Sequence, residues 1–186
     1  MSAASLRSAL TLCLAVTAAA EGPEWELQRD RDGIAVFTRA VEGSKHKAVK
    51  ATMVVDASVQ TLVGLVQDLA ACPEWAAYCR ESNVIERRSD TEFIIYTYND
   101  IPWPASDRDA VTEVVWSSDA NGLVTMTATI VPGFVPEKRK AVRLQVGTTS
   151  WQFTPVDDGH TSVISNAHID PRGATPAWLT NMLLVD

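Results

Sequence analysis

The chain changes its hydrophobic period several times. Early on, apolar and polar positions alternate at short range, as in "WELQRDRDGIAVFTRAV" and "KHKAVKATMVV". The first stretch predicts two short strands joined at Asp32-Gly33, a pair that tolerates the backbone a tight turn requires. The second is rich in β-branched residues and predicts a third strand. The period then lengthens: Val59, Leu62, Val63, Val66, Leu69 and Ala70 fall at helical spacing. Asp56 is the expected N-cap. Gly64 weakens this helix slightly but lets a neighbour approach closely. Pro73 ends it and opens a second short helix with Glu74 in its first turn.

Nearly everything that follows reads as strand. "NVIERRS" and "TEFIIYTY" predict a hairpin around Ser89-Asp90. "RDAVTEVVW" and "GLVTMTATIV" flank Asn121-Gly122, the strongest hairpin signal in the chain. "KAVRLQVGTTSWQFTPV" reads as one long strand, and "HTSVISNAHID" closes the run. With no helix-length connector between them, these strands are expected to pair antiparallel. In the long strand Val142, Leu144 and Val146 share a face, whereas Trp151 and Phe153 fall on the other parity; a bulge or bend at Gly147 accounts for the switch. Tyr96, Tyr98, Thr112 and Ser165 interrupt otherwise apolar faces. That mixture suits a curved sheet around a cavity, and also a solvated outer face. At the end, Thr175 and Pro176 open a helix carrying Trp178, Leu179, Met182, Leu183 and Val185.

Composition narrows the class. With 186 residues, 46% of them hydrophobic and 21% charged, the chain can bury one real core. A net charge of −7 argues against nucleic acid. Only "PEKRKAVR" is locally basic, a solvated loop or a contact for anionic headgroups. In "VPGFVPEKRK", Phe134 sets an apolar tip beside three basic residues, which offers a transient membrane-surface contact; an ordinary hairpin loop is the alternative. The first twenty residues combine Arg7, an apolar run and the small residues Ala18 and Ala20, the parts of a secretory signal. The run is short for a bilayer span; a buried N-terminal helix is the alternative. Residues 1–20 therefore predict export, to a periplasm. Cys72 and Cys79 would then meet an oxidising space. Along one helix their separation is about 10 Å, beyond disulfide reach, so they are expected to stay unpaired unless the chain bends sharply between them.

Catalytic signatures are missing. There is no G-x-S-x-G elbow, no P-loop and no CxxC, and the well-spaced His46, His160 and His168 do not form a zinc set. The expectation is no catalytic site, no metal and no cofactor. Trp75 and Tyr78 are expected as core contacts where the short helix docks.

The order and spacing of "WELQRDRDGIAVFTR", "PEWAAYC", "IPWPASDRDAV", "WQFTP" and "HIDPRGATPAWLTN" resemble the START family, the StAR-related lipid-transfer domains, over residues 23–186. The resemblance implies an α+β helix-grip fold, a curved antiparallel sheet with helices over an apolar cavity that holds one lipid without covalent chemistry. On that reading the candidate ligand contacts are Tyr96, Tyr98, Trp103, Arg108, Met126, Trp151, His168, Trp178 and Met182. Trp103 would cover one end of the cavity. Arg108 would pair with Asp107, Asp109 or Asp170, either pinning the corner or placing a headgroup. His168 is either a hydrogen-bonded strand residue or a ligand contact. A Glu–Arg pair that some sterol-carrying relatives place in the tunnel falls here on Thr97 and Val114, so this cavity is expected to lack it. Family members usually continue further, which implies an incomplete C-terminal lid helix. The rival functions are a protein-interaction or regulatory domain that carries nothing, and a polyketide cyclase-like enzyme.

Overall fold

The alternating segments become strands: β1 (Glu26–Arg31), β2 (Ile34–Arg39), β3 (Ala48–Val55), β4 (Cys79–Arg87), β5 (Glu92–Asn99), β6 (Asp107–Ser118), β7 (Val124–Ile130), β8 (Ala141–Arg143), β9 (Gly147–Pro155) and β10 (Thr161–Ile169). The structure, a computed structural model, describes residues 24–173. The signal segment and the helix expected to carry Trp178 and Met182 lie outside the described residues. All the strands join one open, curved sheet in the order β1-β2-β3-β10-β9-β7-β6-β5-β4, antiparallel throughout except for β8, which lies parallel on β6. The predicted turns hold. Asp32 and Gly33 both take positive φ, 54° and 79°, the backbone of a two-residue hairpin turn. Before β7, the Asp119 carboxylate accepts the Asn121 and Leu123 amides at 2.8 and 3.0 Å, and Gly122 supplies φ 84°.

The connection from β3 to β4 sets the architecture. It must run from the third strand position to the far edge of the sheet, and it does so across the concave face. Helix α1 (Val59–Gln67) lies there, and Val59, Leu62, Val63 and Val66 pack toward Val114, Trp116, Met126, Phe153 and Val163. Ser58 caps α1 in place of the expected Asp56. Its backbone is extended (φ −69°, ψ 155°) and its hydroxyl accepts the Thr61 amide at 3.2 Å; Asp56 sits two residues too early. The helix also stops sooner than its apolar period suggests. Asp68 leaves helical geometry and its carboxylate caps a 3-10 turn, Leu69–Ala71. Helix α2 (Cys72–Trp75) follows, with Pro73 at its start and Glu74 in its first turn.

The unpaired cysteines are corrected by this geometry. Cys72 and Cys79 form a disulfide with Cα atoms 6.0 Å apart. The single-helix spacing does not apply, because α2 ends at Trp75, Ala76 is extended (ψ 120°) and Tyr78 is left-handed (φ 64°). The sharp bend that pairing requires is present. Trp75 and Tyr78 are consequently not core residues; they are 37% and 42% exposed.

A second apolar cluster lies on the convex face: Ile94, Tyr96, Tyr98 and Val111, covered by Val131, Val135 and Ala141. It is built on an ion pair. Arg143 donates to both Asp109 oxygens, Nε to Oδ1 at 2.9 Å and Nη2 to Oδ2 at 2.8 Å, with side chains 3% and 0% exposed. The same guanidinium donates to the Val135 and Pro136 carbonyls, and the Tyr96 hydroxyl donates to Asp109 at 3.1 Å. Buried charge is costly without a partner, and here every member has one. The parallel register of β8, which sets Arg143 opposite Asp109, makes the pair. The long strand predicted over this region is therefore two strands. Residues 144–146 leave the sheet, and Val146, read as sharing a face with Val142 and Leu144, is 64% exposed while Leu144 is buried. The chain rejoins at Gly147 because there is no room for a side chain: a Cβ there would lie 2.9 Å from both Ile130 Cδ1 and Ile169 Cγ1.

Asp109→Ala leaves Arg143 buried and unpaired and is expected to destabilise the domain by about 3–5 kcal/mol in denaturant unfolding. Gly147→Ala overpacks a closed site and is expected to cost about 1–3 kcal/mol in the same measurement. Reduction of the Cys72–Cys79 bridge is expected to remove about 2–3 kcal/mol. The double serine variant should show the same loss and no further response to reductant.

Candidate ligand-binding cavity

Strand parity decides what faces α1. On β5 the odd residues Phe93, Ile95, Thr97 and Asn99 point to the concave side, opposite Val114, Thr112, Ala110 and Arg108 of β6. The β6–β7 register continues the row with Ala128 beside Val114 and Met126 beside Trp116. On β9, Thr149 and Trp151 complete it. No residue of α1 is fully buried, so the helix stands off the sheet.

Two adjoining chambers that share wall residues lie in the gap. One, about 430 Å³, lies under the helical crossover; Val66, Leu69, Cys72, Trp75, Phe93, Val114, Trp116 and Met126 are among its walls. Trp75 closes one side, its ring edge-on to Trp151 at 6.3 Å between centroids. Among the described residues, Arg87 and Asp90 are the ionisable groups lining it, and both are exposed. A second chamber, about 310 Å³, is bounded by Asn99, Ala110, Thr112, Ile130, Leu144, Gly147, Thr149, Trp151 and Ile169, and shares Ile95, Thr97 and Ala128 with the one under the crossover. Thr97 hydrogen-bonds to Ser82 at 3.0 Å. Thr97 and Val114, the positions matched to the Glu–Arg pair, both face the cavity and carry no charge.

Of the sequence-predicted contacts, the structure brings Met126 and Trp151 into the cavity wall. Tyr96 and Tyr98 are placed on the opposite face, in the convex cluster. Both faces of β5 are apolar, so its composition alone does not say which parity points inward. The Tyr98 hydroxyl donates to Asp107 at 2.6 Å, and that bond, with burial behind it, pushes the phenol up to about 12. Trp103, placed over the cavity end in the sequence reading, is 91% exposed at the corner before β6. His168 also lies on the convex side, its Nε2 3.1 Å from the Ser44 hydroxyl. Arg108 is buried but has none of the expected carboxylates as its hydrogen-bonded partner. It donates to the backbone carbonyls of Ser106, Pro171 and Arg172, tying the corner to the segment after β10. Burial pushes its guanidinium down, with Asp107 opposing. Trp178 and Met182 lie outside the described residues.

The reading missed Phe93, Ile95, Ala128, Asn99 and Thr149. The Asn121-Gly122 hairpin could have found some of them. Its turn fixes the β6–β7 register, so an inward Met126 requires Trp116, Val114 and Ala128 to be inward too. Among the described residues no cluster of three or more His, Cys, Asp or Glu could hold a metal.

Comparison with known proteins agrees with this geometry. The START domain family matches residues 6–185. An uncharacterized protein of Pseudomonas aeruginosa is 30% identical over 163 residues, 88% of this chain and 80% of its own length. The crystal structure of the STAR-related lipid transfer protein of Xanthomonas axonopodis superposes with a TM-score of 0.79 at 30% identity, covering 87% of this chain and 90% of that one. Human STARD10 superposes at 0.77 with 24% identity, over 86% of this chain and 66% of that one. The bent antiparallel sheet with helices laid across it is thus shared over most of the chain, which belongs to the START-domain family.

Proposed function

We infer that this protein binds a single lipid in the hollow between α1 and the sheet and carries it without chemical change. The observation that carries the reading is the lining: a wall of Val66, Leu69, Phe93, Val114, Trp116 and Met126, in which the ionisable groups among the described residues, Arg87 and Asp90, are exposed. Burying acyl surface there yields about 0.8 kcal/mol per methylene. The lipid-transfer function named for the Xanthomonas axonopodis relative supports the same conclusion.

Two finer points belong to this proposal. The chain works outside the cytoplasm after loss of residues 1–20. The Cys72–Cys79 disulfide supports this, since such bonds persist in oxidising compartments. No helix among the described residues is long and apolar enough to cross a membrane. Cargo exchange uses a transient membrane contact at the loop between β7 and β8. There Phe134 is 48% exposed in a left-handed conformation, φ 61°, and Arg139 and Lys140 are exposed farther along.

Native mass spectrometry of the full chain, purified without detergent, is expected to show one lipid per protein. Ala128→Trp, which fills the junction of the two chambers, is expected to lower that occupancy about tenfold or more with the circular dichroism unchanged. Unchanged occupancy would contradict the cavity assignment. Phe134→Asp is expected to reduce sedimentation with anionic vesicles several-fold while leaving lipid occupancy intact.

A further inference from the structure

The crossover between β3 and β4 roofs the chamber, yet it is lightly seated. Helix α1 has no buried residue, the 3-10 turn after it has none, and α2 has one, Cys72. From Asp56 to Tyr78 no other residue is buried. That single buried position is also the one joined covalently to the sheet, through Cys79 at the start of β4. Helix α2 is four residues long, too short to persist by itself. The loop it opens is tied by three backbone bonds: Ala76 N–H to the Cys72 carbonyl at 2.9 Å, Cys79 N–H to the Ala76 carbonyl at 3.1 Å, and Asp100 N–H to the Tyr78 carbonyl at 2.9 Å. The first two stay inside the bridged loop. The disulfide is therefore the pin that fastens the end of the roof.

The bridge is also part of the cavity. Cys72 stands in the wall of the chamber under the crossover. Leu69, three residues before it, and Trp75, three after, line the same chamber, and the Trp75 ring meets Trp151 edge-on at 6.3 Å. A movement of the pin thus moves a whole side of the wall. Cys72 and Cys79 are 9% and 8% exposed, which shelters the sulfurs from bulk solvent. Thiol–disulfide exchange requires a thiolate to reach one of them, and a molecule held against Cys72 stands in the way.

We propose that the Cys72–Cys79 bridge is a redox-modification site in the cavity wall: reduction by a dithiol unpins the roof and releases the bound molecule, and the bound molecule in turn shields the bridge from the dithiol. This rests on the chamber being the lipid site and adds a control on it. The exchange balances. One thiolate of the dithiol attacks a bridge sulfur, the protein S–S bond breaks, and a mixed disulfide forms; the second thiolate then displaces the protein sulfur. Two electrons and two protons pass to the protein, which ends with two thiols, and the dithiol ends as a disulfide. Occupancy and redox state are coupled reciprocally. A tenfold difference in lipid affinity between the bridged and reduced forms shifts the equilibrium of the bridge by the same factor, about 30 mV for two electrons.

The test takes the full chain isolated without detergent, delipidates half of it, and adds dithiothreitol to both halves. Thiols are trapped with N-ethylmaleimide and counted at Cys72 and Cys79 by peptide mass spectrometry; retained lipid is read by native mass spectrometry. The loaded protein is expected to be reduced about tenfold more slowly than the empty one, and reduction is expected to lower lipid occupancy about tenfold with the far-UV circular dichroism unchanged. Reoxidation should restore the protein's capacity for lipid. The Cys72→Ser, Cys79→Ser double variant should start at the low occupancy and ignore the dithiol. Equal reduction rates with and without lipid, or full occupancy after reduction, would overturn the redox control and leave the cavity as a lipid site. Loss of the circular dichroism together with the lipid would overturn it as well, because the bridge would then hold the fold and not the roof. A protein that carries no lipid before or after reduction would overturn the lipid-site reading itself.

Discussion

The structure depends on one constraint: a strand connection that must cross the sheet. β3 and β4 lie far apart in the strand order, and the chain between them has to pass over the concave face. The helix that makes the crossing is short, amphipathic and nowhere fully buried. Because the sheet curves and α1 stands off it, side chains from the two sides meet around Trp116, Met126 and Phe153 but leave space beyond. Close packing is the ordinary state of a protein interior, so a hollow persists only where the frame around it is rigid. The disulfide at the end of the crossover and the convex ion pair supply that rigidity from two directions.

The convex cluster shows how the frame is held. Asp109 and Arg143 are joined by β8 lying parallel on β6, and the loop that delivers Arg143 also covers Tyr96 and Tyr98. The polar network therefore lies behind the cavity wall, not in it. This arrangement leaves the cavity side of the same strands free to carry hydrocarbon and a few hydroxyls. Two neighbouring arginines accordingly have different structural jobs: Arg143 neutralises a buried carboxylate, and Arg108 fastens the corner to the chain after β10.

Much of the architecture was legible in the residues. Period-two strands, the helical interval, and the Asp32-Gly33 and Asn121-Gly122 turns are local signals that the structure keeps, except that the long strand splits into β8 and β9 and α1 ends early, at Gln67. What local pattern does not encode is which of two apolar faces turns inward. β5 is apolar on both, and only its pairing with β6 separates Phe93 and Ile95 from Ile94 and Tyr96. The disulfide was missed for a related reason. Spacing along a helix describes Cys72 and Cys79 only if the helix continues, and its end at Trp75 is a tertiary outcome. Asp56 and Ser58 compete as caps within one turn, and the backbone at Ser58 decides between them. Arg108 was recognised as a buried charge, but carboxylates were favoured over backbone carbonyls as its partners, a choice that only the fold after β10 reveals.

The space under the crossover helix is the central claim, and a crystal structure of the protein isolated without detergent addresses it most directly. The account predicts elongated density between α1 and the sheet, in contact with Phe93, Val114, Met126 and Ala128 and reaching toward Thr149. A crossover helix collapsed onto β5–β7, with Trp116 and Met126 filling the space and no density between them, would contradict it.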